Sequence, residues 1–473
     1  MRAVPVRTPQ GANRLVVPTR LSPTTGTSKA FAMIPVIAFS WILIFRPLLG
    51  SFDTTVLKVV QGGTVADWEN RVFWSTLLAA TLLLALLNRS RISLGRLGSL
   101  PIIALAAYLI LSGASITWAY STEHAFSRFS LEMMVLLTFV LPFSLMSSMT
   151  DTMQNLYRCY VFAIFINVVV VLNQNPLLTA TGREFGYYGY FGFKGYLGEC
   201  ASIAFLMSLY ELLFPGRRRY LAILVILGSI WLIFASKSKG SLAFALVAPV
   251  LAALTIAISR KLRMQGTIVL VLAVIPLSYV VASMITNDLI GKISYRLYGD
   301  SSLTGRTIIW DFVQNEISRR PWLGWGFHSF WLVGPNAPSV VEAPIWVGKM
   351  TGSHSGYLDV KVETGRIGLT LFIGFIVATL YAIERVMRQD PARAWFLLSL
   401  ALYVIISNFI ETVWLARNDP LWYLFVLVAA ETTRYSYSTR QISLAVKRPS
   451  RVSVPRQSRP VRVGVARSGK SGL

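Results

Sequence analysis

Twelve apolar runs, greasy on every side and mostly 17 or more residues long, leave this chain few ways to fold. They lie near 31–49, 72–88, 100–118, 129–148, 156–173, 197–214, 220–235, 241–258, 267–285, 357–383, 395–415 and 420–431. A helix needs about 20 apolar residues to cross a bilayer core of about 30 Å. Membrane strands would alternate polar with apolar positions, and these runs do not. Only 14% of the 473 residues are charged, where soluble domains carry roughly 25%. The expected fold class is all-α, a polytopic integral membrane protein with about 12 transmembrane helices. The first run is too long for a cleavable signal peptide and lacks a cleavage site. Cys159 and Cys200 fall inside apolar runs, so no disulfide is expected.

The net charge of +24 invites a nucleic-acid reading that its distribution excludes. Residues 1–30 and 432–473 are basic and contain no acid. They read as disordered tails held against an anionic cytoplasmic leaflet. Arg89, Arg91 and Arg96 follow the second run, Arg217, Arg218 and Arg219 the sixth, Arg260, Lys261 and Arg263 the eighth. Arg385, Arg388 and Arg393 follow the tenth. The positive-inside rule places all of these, with both termini, in the cytoplasm. The loops at 50–71, 119–127, 174–196, 236–240 and 286–356 then face outward, which in a bacterium is the periplasm. The expected organisation is a basic tail 1–30, transmembrane helices over 31–285, a large periplasmic loop 286–356, further helices over 357–431, and a basic tail 432–473.

One polar interruption stands out, from Thr304 to Leu369. A membrane protein keeps such a segment where it meets water, usually because chemistry happens there. Within it Ile309, Val313 and Ile317 recur at helical spacing, predicting an amphipathic helix from Arg306 to Arg319 on the membrane surface, stopped by Pro321. His354 precedes a helix start beside Ser355 and Gly356; it is either a general base or an exposed loop histidine. Arg306, at a helix N-terminus, offers a fork for phosphate oxygens or for lipid headgroups. Lys237 and Lys239 join two apolar runs with almost no loop, so they either snorkel to the interface or form an anion site. Arg183 and Lys194 add positive charge on the same side, and together these residues predict a basic, outward-facing cavity. Tyr187, Tyr188, Tyr190, Trp322, Trp325 and Trp331 suit either sugar stacking or interfacial anchoring. Metal-ligand spacing is lacking; Asp67 and Glu69 are the one close acid pair, an alternative base or a solvated loop.

These residues resemble a known family, the bacterial O-antigen ligases and Wzy-type polysaccharide polymerases. His354-Ser355, nine residues, then Gly365-x-x-Gly368 matches that family's histidine motif. Gly305-Arg306-x-x-x-Trp310 resembles its arginine motif, and Pro321-Trp322-Leu323-Gly324-Trp325-Gly326 the turn between them. Ser238-Lys239-Gly240 resembles the family's Ser-Arg-Gly with lysine for arginine, and Trp118-Ala119 with Ala125 resembles its early outer loop. Gly192-Phe193-Lys194-Gly195-Tyr196-Leu197-Gly198 resembles a G-H-K-N-x-L-G segment, with Phe193 and Gly195 departing from it.

The resemblance implies a GT-C-like membrane glycosyltransferase of the bacterial inner membrane. It would move a glycan from an undecaprenyl-diphosphate carrier to an acceptor hydroxyl on the periplasmic side, with inversion and without metal or other cofactor. It implies His354 as base, with Arg306 and Lys239 on the diphosphate; the positive charge of Lys237, Lys194 and Arg183 is expected to add to that diphosphate site. Glu363, Arg366 and Trp325 would either stand beside the acceptor or support the residues that touch it. The implied partners are the lipid-linked oligosaccharide, a glycan or lipid A–core acceptor, the bilayer and a chain-length regulator, with no nucleic acid. A non-enzymatic glycolipid flippase is the competing reading; it needs a basic cavity but no base beside it.

Overall fold

A computed structural model describes residues 26–52, 68–89, 95, 97–145, 152–173, 185–214, 218–285, 292, 296, 305–344, 346–416 and 418–447. Among them regular structure is helical throughout. Helix α1 (Gly26–Ser40) continues through a π turn, Trp41–Phe45, into α2 (Arg46–Phe52). There follow α3 (Trp68–Leu87), α4 (Leu100–Ala114), α5 (Thr122–Leu145), α6 (Thr152–Leu172), α7 (Lys194–Leu213), α8 (Arg219–Ser236), α9 (Lys239–Leu262) and α10 (Thr267–Ile285). Then come α11 (Arg306–Arg319), the short α12 (Pro338–Val341), α13 (Gly356–Gln389), α14 (Pro391–Ser407) and α15 (Pro420–Lys447). A helix starts in or overlaps each of the twelve apolar runs. Nine stretches among the described residues are long and apolar enough to cross a membrane, so the chain is a polytopic helical membrane protein.

The bundle forms around α15. Every residue from Leu421 to Ala430 is buried, the pattern of a helix surrounded by protein rather than by lipid or water. Phe372 and Phe375 of α13, with Trp414, Trp422 and Phe425, pack edge to face around its start. Such ring pairs add about 0.5–1.5 kcal/mol each beyond area burial. Around this post α13 packs on α4, α14 and α15, and α9 packs on α14 and α7.

Two sequence expectations change here. The run 395–415 is not one helix: α14 stops at Ser407, and 408–416 folds back as irregular chain across the end of the bundle. Asn408 causes the stop. Fully buried, it donates Nδ2–H to Val404 O while its Oδ1 accepts from the N–H groups of Val413 and Trp414. Helix α11 exists as expected, but its apolar face meets protein: Ile309, Phe312, Val313 and Ile317 bury against Trp325, Phe330, Trp331, Val347 and Val362. The loop thus carries a small core of its own.

That loop is clamped to the bundle through a break in α13. Gly365 sits at φ 69, ψ −166, a combination open essentially to glycine alone. The helix opens there, and 321–326 fills the gap. Arg366 N–H donates to Pro321 O at 2.9 Å, Trp325 N–H to Val362 O at 2.9 Å and Gly326 N–H to Glu363 O at 2.8 Å. A Cβ on Gly365 would collide with the Trp322 carbonyl, and one on Gly324 with the Glu363 backbone. The two glycine motifs are therefore two halves of one joint.

Candidate active site

Around that joint the loops at 119–121, 185–193, 237–238, 305–344, 346–355, 408–416 and 418–419 gather at one end of the bundle. By helix alternation the runs of Arg218–Arg219, Arg260–Arg263 and Arg385–Arg393 fall at the other. Helix α11 is tied to the histidine loop by Trp310, whose Nε1–H donates to Ser353 O at 3.1 Å. The same loop is pinned by Asp359 in the first turn of α13, which accepts from Ser353 N–H, from Thr412 Oγ1 at 2.5 Å and from Trp331 Nε1 at 2.8 Å. Gly356 N–H donates to the carbonyls of Asn408 and Glu411, both at 3.0 Å. These bonds bring three distant segments together, and Glu411 is where they meet. Its Oε1 accepts from Arg306 Nη2 at 2.7 Å, and its Oε2 lies 3.3 Å from His354 Nδ1.

His354 and Glu411 are 42% and 39% exposed, and ion pairs this open are worth only about 0–1 kcal/mol. The triad therefore contributes little stability; what it fixes is geometry. Donation from His354 Nδ1–H to Glu411 leaves Nε2 as the ring's free acceptor, the tautomer a general base requires. His354 is also held at φ 53, a left-handed conformation that costs a non-glycine residue of order 1–3 kcal/mol. His328, Leu332, Leu415 and Asn418, which line the same cavity, share that conformation. Such strain persists only where surroundings over-determine it, and it collects at functional sites.

Two of the three, His354 and Glu411, line a cavity of about 700 Å³, which Arg306 meets through its bond to Glu411; the volume is within the roughly 300–1,000 Å³ usual for small-molecule sites. Its exposed rim holds Phe193, Lys194 and Tyr196, with His354 and Glu411 half-buried beside them; its buried floor holds Glu132, Trp331, Asp359, Glu363, Trp414, Asp419 and Tyr423. The starts of α7, α9, α13 and α15 all contribute to its wall, through Lys194, Ser238, Asp359 and Asp419. Helix N-termini carry about half a positive charge each and favour anions.

The expected basic cavity is not what forms. Six carboxylate residues, Glu132, Glu199, Asp359, Glu363, Glu411 and Asp419, share the lining with Arg128, Lys194 and two histidines. All of these acids but Asp419 fall inside the apolar runs, which a hydropathy reading treats as span interior. Burial pushes the Asp419 carboxyl up to about 7, against the pull of the Leu421 and Trp422 N–H groups.

The other expected residues are placed as follows. Lys194 lines the cavity and donates Nζ–H to Phe185 O at 3.0 Å. Lys237 and Lys239 are exposed on either side of Ser238, which does line it. Arg183 lies outside the described residues, as does Asp67; Glu69 is exposed at the start of α3 and not among the lining residues. Glu363 lines the floor, its Oε1 3.7 Å from His328 Nδ1. Arg366 faces outward over the Trp322 ring. Trp325 is 8% exposed within the loop core, its Nε1–H on Glu316 O and Arg320 stacked on its ring; packing, not acceptor contact, explains it. Of the six candidate stacking aromatics only Trp331 lines the cavity. Glu411, Asn408 and Asp359 escape a motif reading. A lone acid in an apolar run, as Glu411 is, was the available signal.

Residues 221–373 match the family profile described as O-Antigen ligase, a stretch that holds Lys237, Lys239, Arg306, His354, Glu363 and Arg366. The chain is 26% identical over 116 residues to the "Exopolysaccharide production protein ExoQ" of Rhizobium meliloti, covering 24% of this chain and 27% of that protein. It is 28% identical over 130 residues to a Rickettsia felis protein named "Putative polysaccharide ligase", covering 27% of this chain and 32% of that one. The matched stretches span less than a third of either relative's length.

Proposed function

We propose that the protein is a glycosyltransferase that moves a glycan from an undecaprenyl-diphosphate carrier to an acceptor sugar hydroxyl, with the cavity facing the periplasm and both termini in the cytoplasm. The observation that carries this reading is the convergence of His354 and Arg306 on Glu411 at the rim of a polar cavity in a membrane protein. Similarity to an O-antigen ligase profile and to proteins named for exopolysaccharide production and polysaccharide ligation supports it.

In this mechanism the diphosphate lies at the rim, where Arg306 begins α11 and Lys194 and Lys239 begin α7 and α9. Fixed cations and helix dipoles there stabilise the negative charge that develops as the glycosyl–phosphate bond breaks. His354 Nε2 takes the proton of the acceptor hydroxyl as its oxygen attacks the anomeric carbon. Attack opposite the leaving diphosphate inverts that carbon. Glu411 holds the imidazole in the productive tautomer and supports the imidazolium that forms. A flippase has no use for an oriented imidazole beside a cation, which is why transfer is preferred to transport.

The direct test is to incubate the purified protein with a defined undecaprenyl-diphosphate oligosaccharide, with and without lipid A–core, and to separate the products. A glycan chain marks a polymerase and a core-linked glycan a ligase; intact donor in both would remove the reading. Arg306→Lys is expected to lower transfer at least about 10-fold, because an ammonium cannot span Glu411 and a phosphate as a planar fork does. Equal initial rates for the variant and wild type would argue against the fork. Transfer is also expected to survive EDTA, since side chains supply the positive charge. Loss restored by magnesium would shift the chemistry to a metal.

A further inference from the structure

We propose that the joint between α13 and 321–326 seats on the bilayer surface through a binding site for an anionic phospholipid headgroup, built by Arg366, Trp322 and Trp118. This surface lies outside the cavity, and the proposal goes beyond the transfer reading.

Helix geometry sets its depth. Arg366 lies about 28 Å along α13 from Arg385, at about 1.5 Å per residue. The span from Leu100 to Trp118 has about the same length. A hydrocarbon core is about 30 Å thick. Two separate spans therefore put Arg366 and Trp118 at one boundary of that core and Arg385 and Leu100 at the other. The two upper ends meet through the joint, where Trp118 Nε1–H donates to Leu323 O at 3.2 Å. Tryptophan is the residue that settles at headgroup level.

What faces outward at this depth is aromatic, apolar and basic. Trp322 is 60% exposed, and Leu323 and Ile367 are exposed beside it. Arg366 and Arg320 are exposed as well. Among the described residues neither arginine pairs with a carboxylate: Arg366 lies over the Trp322 ring at 5.3 Å and Arg320 over the Trp325 ring at 4.2 Å. A cation without a counter-charge at the hydrocarbon boundary is costly. A lipid phosphate offsets that cost, since it accepts from the planar guanidinium fork as a carboxylate would. Two such arginines make the surface positive, which favours a headgroup with a bare phosphate over one that carries its own ammonium group. The exposed rings and aliphatic side chains meet the acyl chains below.

The site also bears on the joint itself. Arg366 N–H and Ile367 N–H donate to Pro321 O at 2.9 Å and Trp322 O at 3.3 Å. A phosphate that holds the Arg366 side chain over Trp322 therefore braces the same two segments from outside.

The test uses full-length protein in nanodiscs of phosphatidylcholine alone or mixed with phosphatidylglycerol. A phosphatidylglycerol that is photoreactive at its headgroup is expected to label peptides holding Trp118, Trp322 or Arg366. Proteolysis between 305 and 344 is expected to slow about 5-fold in the anionic discs, the worth of roughly one arginine at an anionic surface. Arg366→Gln is expected to bring the two cleavage rates within about 2-fold of each other. Should that variant fail to insert, Trp322→Leu, which removes the ring beneath the guanidinium, is expected to show the same loss. Equal wild-type rates in the two discs, or labelling confined to other peptides, would overturn the proposal. So would a lipid effect that survives in full in either variant. Equal protection by soluble glycerol phosphate in phosphatidylcholine discs would mark a free-anion site and overturn it too. Neither readout uses glycan transfer, so failure here leaves the transferase reading intact, and failure of transfer leaves the lipid site intact.

Discussion

Replacing His354 with alanine is expected to cut glycan transfer by about 10²–10⁴-fold, the usual worth of a positioned general base. Melting temperature and binding of diphosphate lipid should stay near wild type, because the side chain is 42% exposed and the Arg306–Glu411 pair survives without it. The informative companion is Glu411→Gln. It keeps a hydrogen-bond partner for the Nδ1 side of the ring but no longer supports an imidazolium, so the loss should be smaller and concentrated in kcat. A His354→Ala protein that builds product at the wild-type rate would end the base assignment. Unchanged kcat in Glu411→Gln would leave the base in place and remove its orienting partner.

The second large effect is structural. Gly365→Ala is expected to destabilise the protein by about 3 kcal/mol or more: strain of about 1–3 kcal/mol at a glycine-only backbone conformation, plus weakened clamp bonds worth about 1 kcal/mol each. The new Cβ has nowhere to go, since it meets the Trp322 carbonyl, a backbone group that cannot rotate aside. The joint between α13 and 321–326 should loosen, and with it the placement of Arg306 against His354. Thermal unfolding in detergent and limited proteolysis between 305 and 355 measure this directly. Faster cleavage there with an intact bundle is the expected pattern. Gly374→Ala is the control: it lies on the same helix with open space around its Cα and should be silent. A Gly365→Ala protein as stable and protease-resistant as that control would show that the break in α13 is not what holds the loop.

Much of this molecule was legible in its residues. Apolar runs marked the chain as a polytopic helical membrane protein because bilayer thickness sets helix length, although nine stretches among the described residues, not twelve, are long and apolar enough to cross a membrane. Loop arginines sorted the ends of the bundle, and the histidine and arginine motifs named His354 and Arg306. Periodicity is local, however, and could not say what an apolar stripe would meet: the face of α11 covers the loop's own core. Nor could hydropathy distinguish Phe409, Ile410, Val413 and Trp414 from a membrane span, although they belong to the turn that Asn408 folds over the site.

By itself, then, the sequence determined a helical membrane bundle with a polar segment between its last groups of spans and two residues chemically suited to anion binding and proton transfer. Only tertiary structure decided that both would meet on Glu411, that the motif glycines form a joint, and that the cavity is acidic. Those outcomes depend on which side chains, up to hundreds of residues apart, are brought within about 3 Å, the reach of a hydrogen bond.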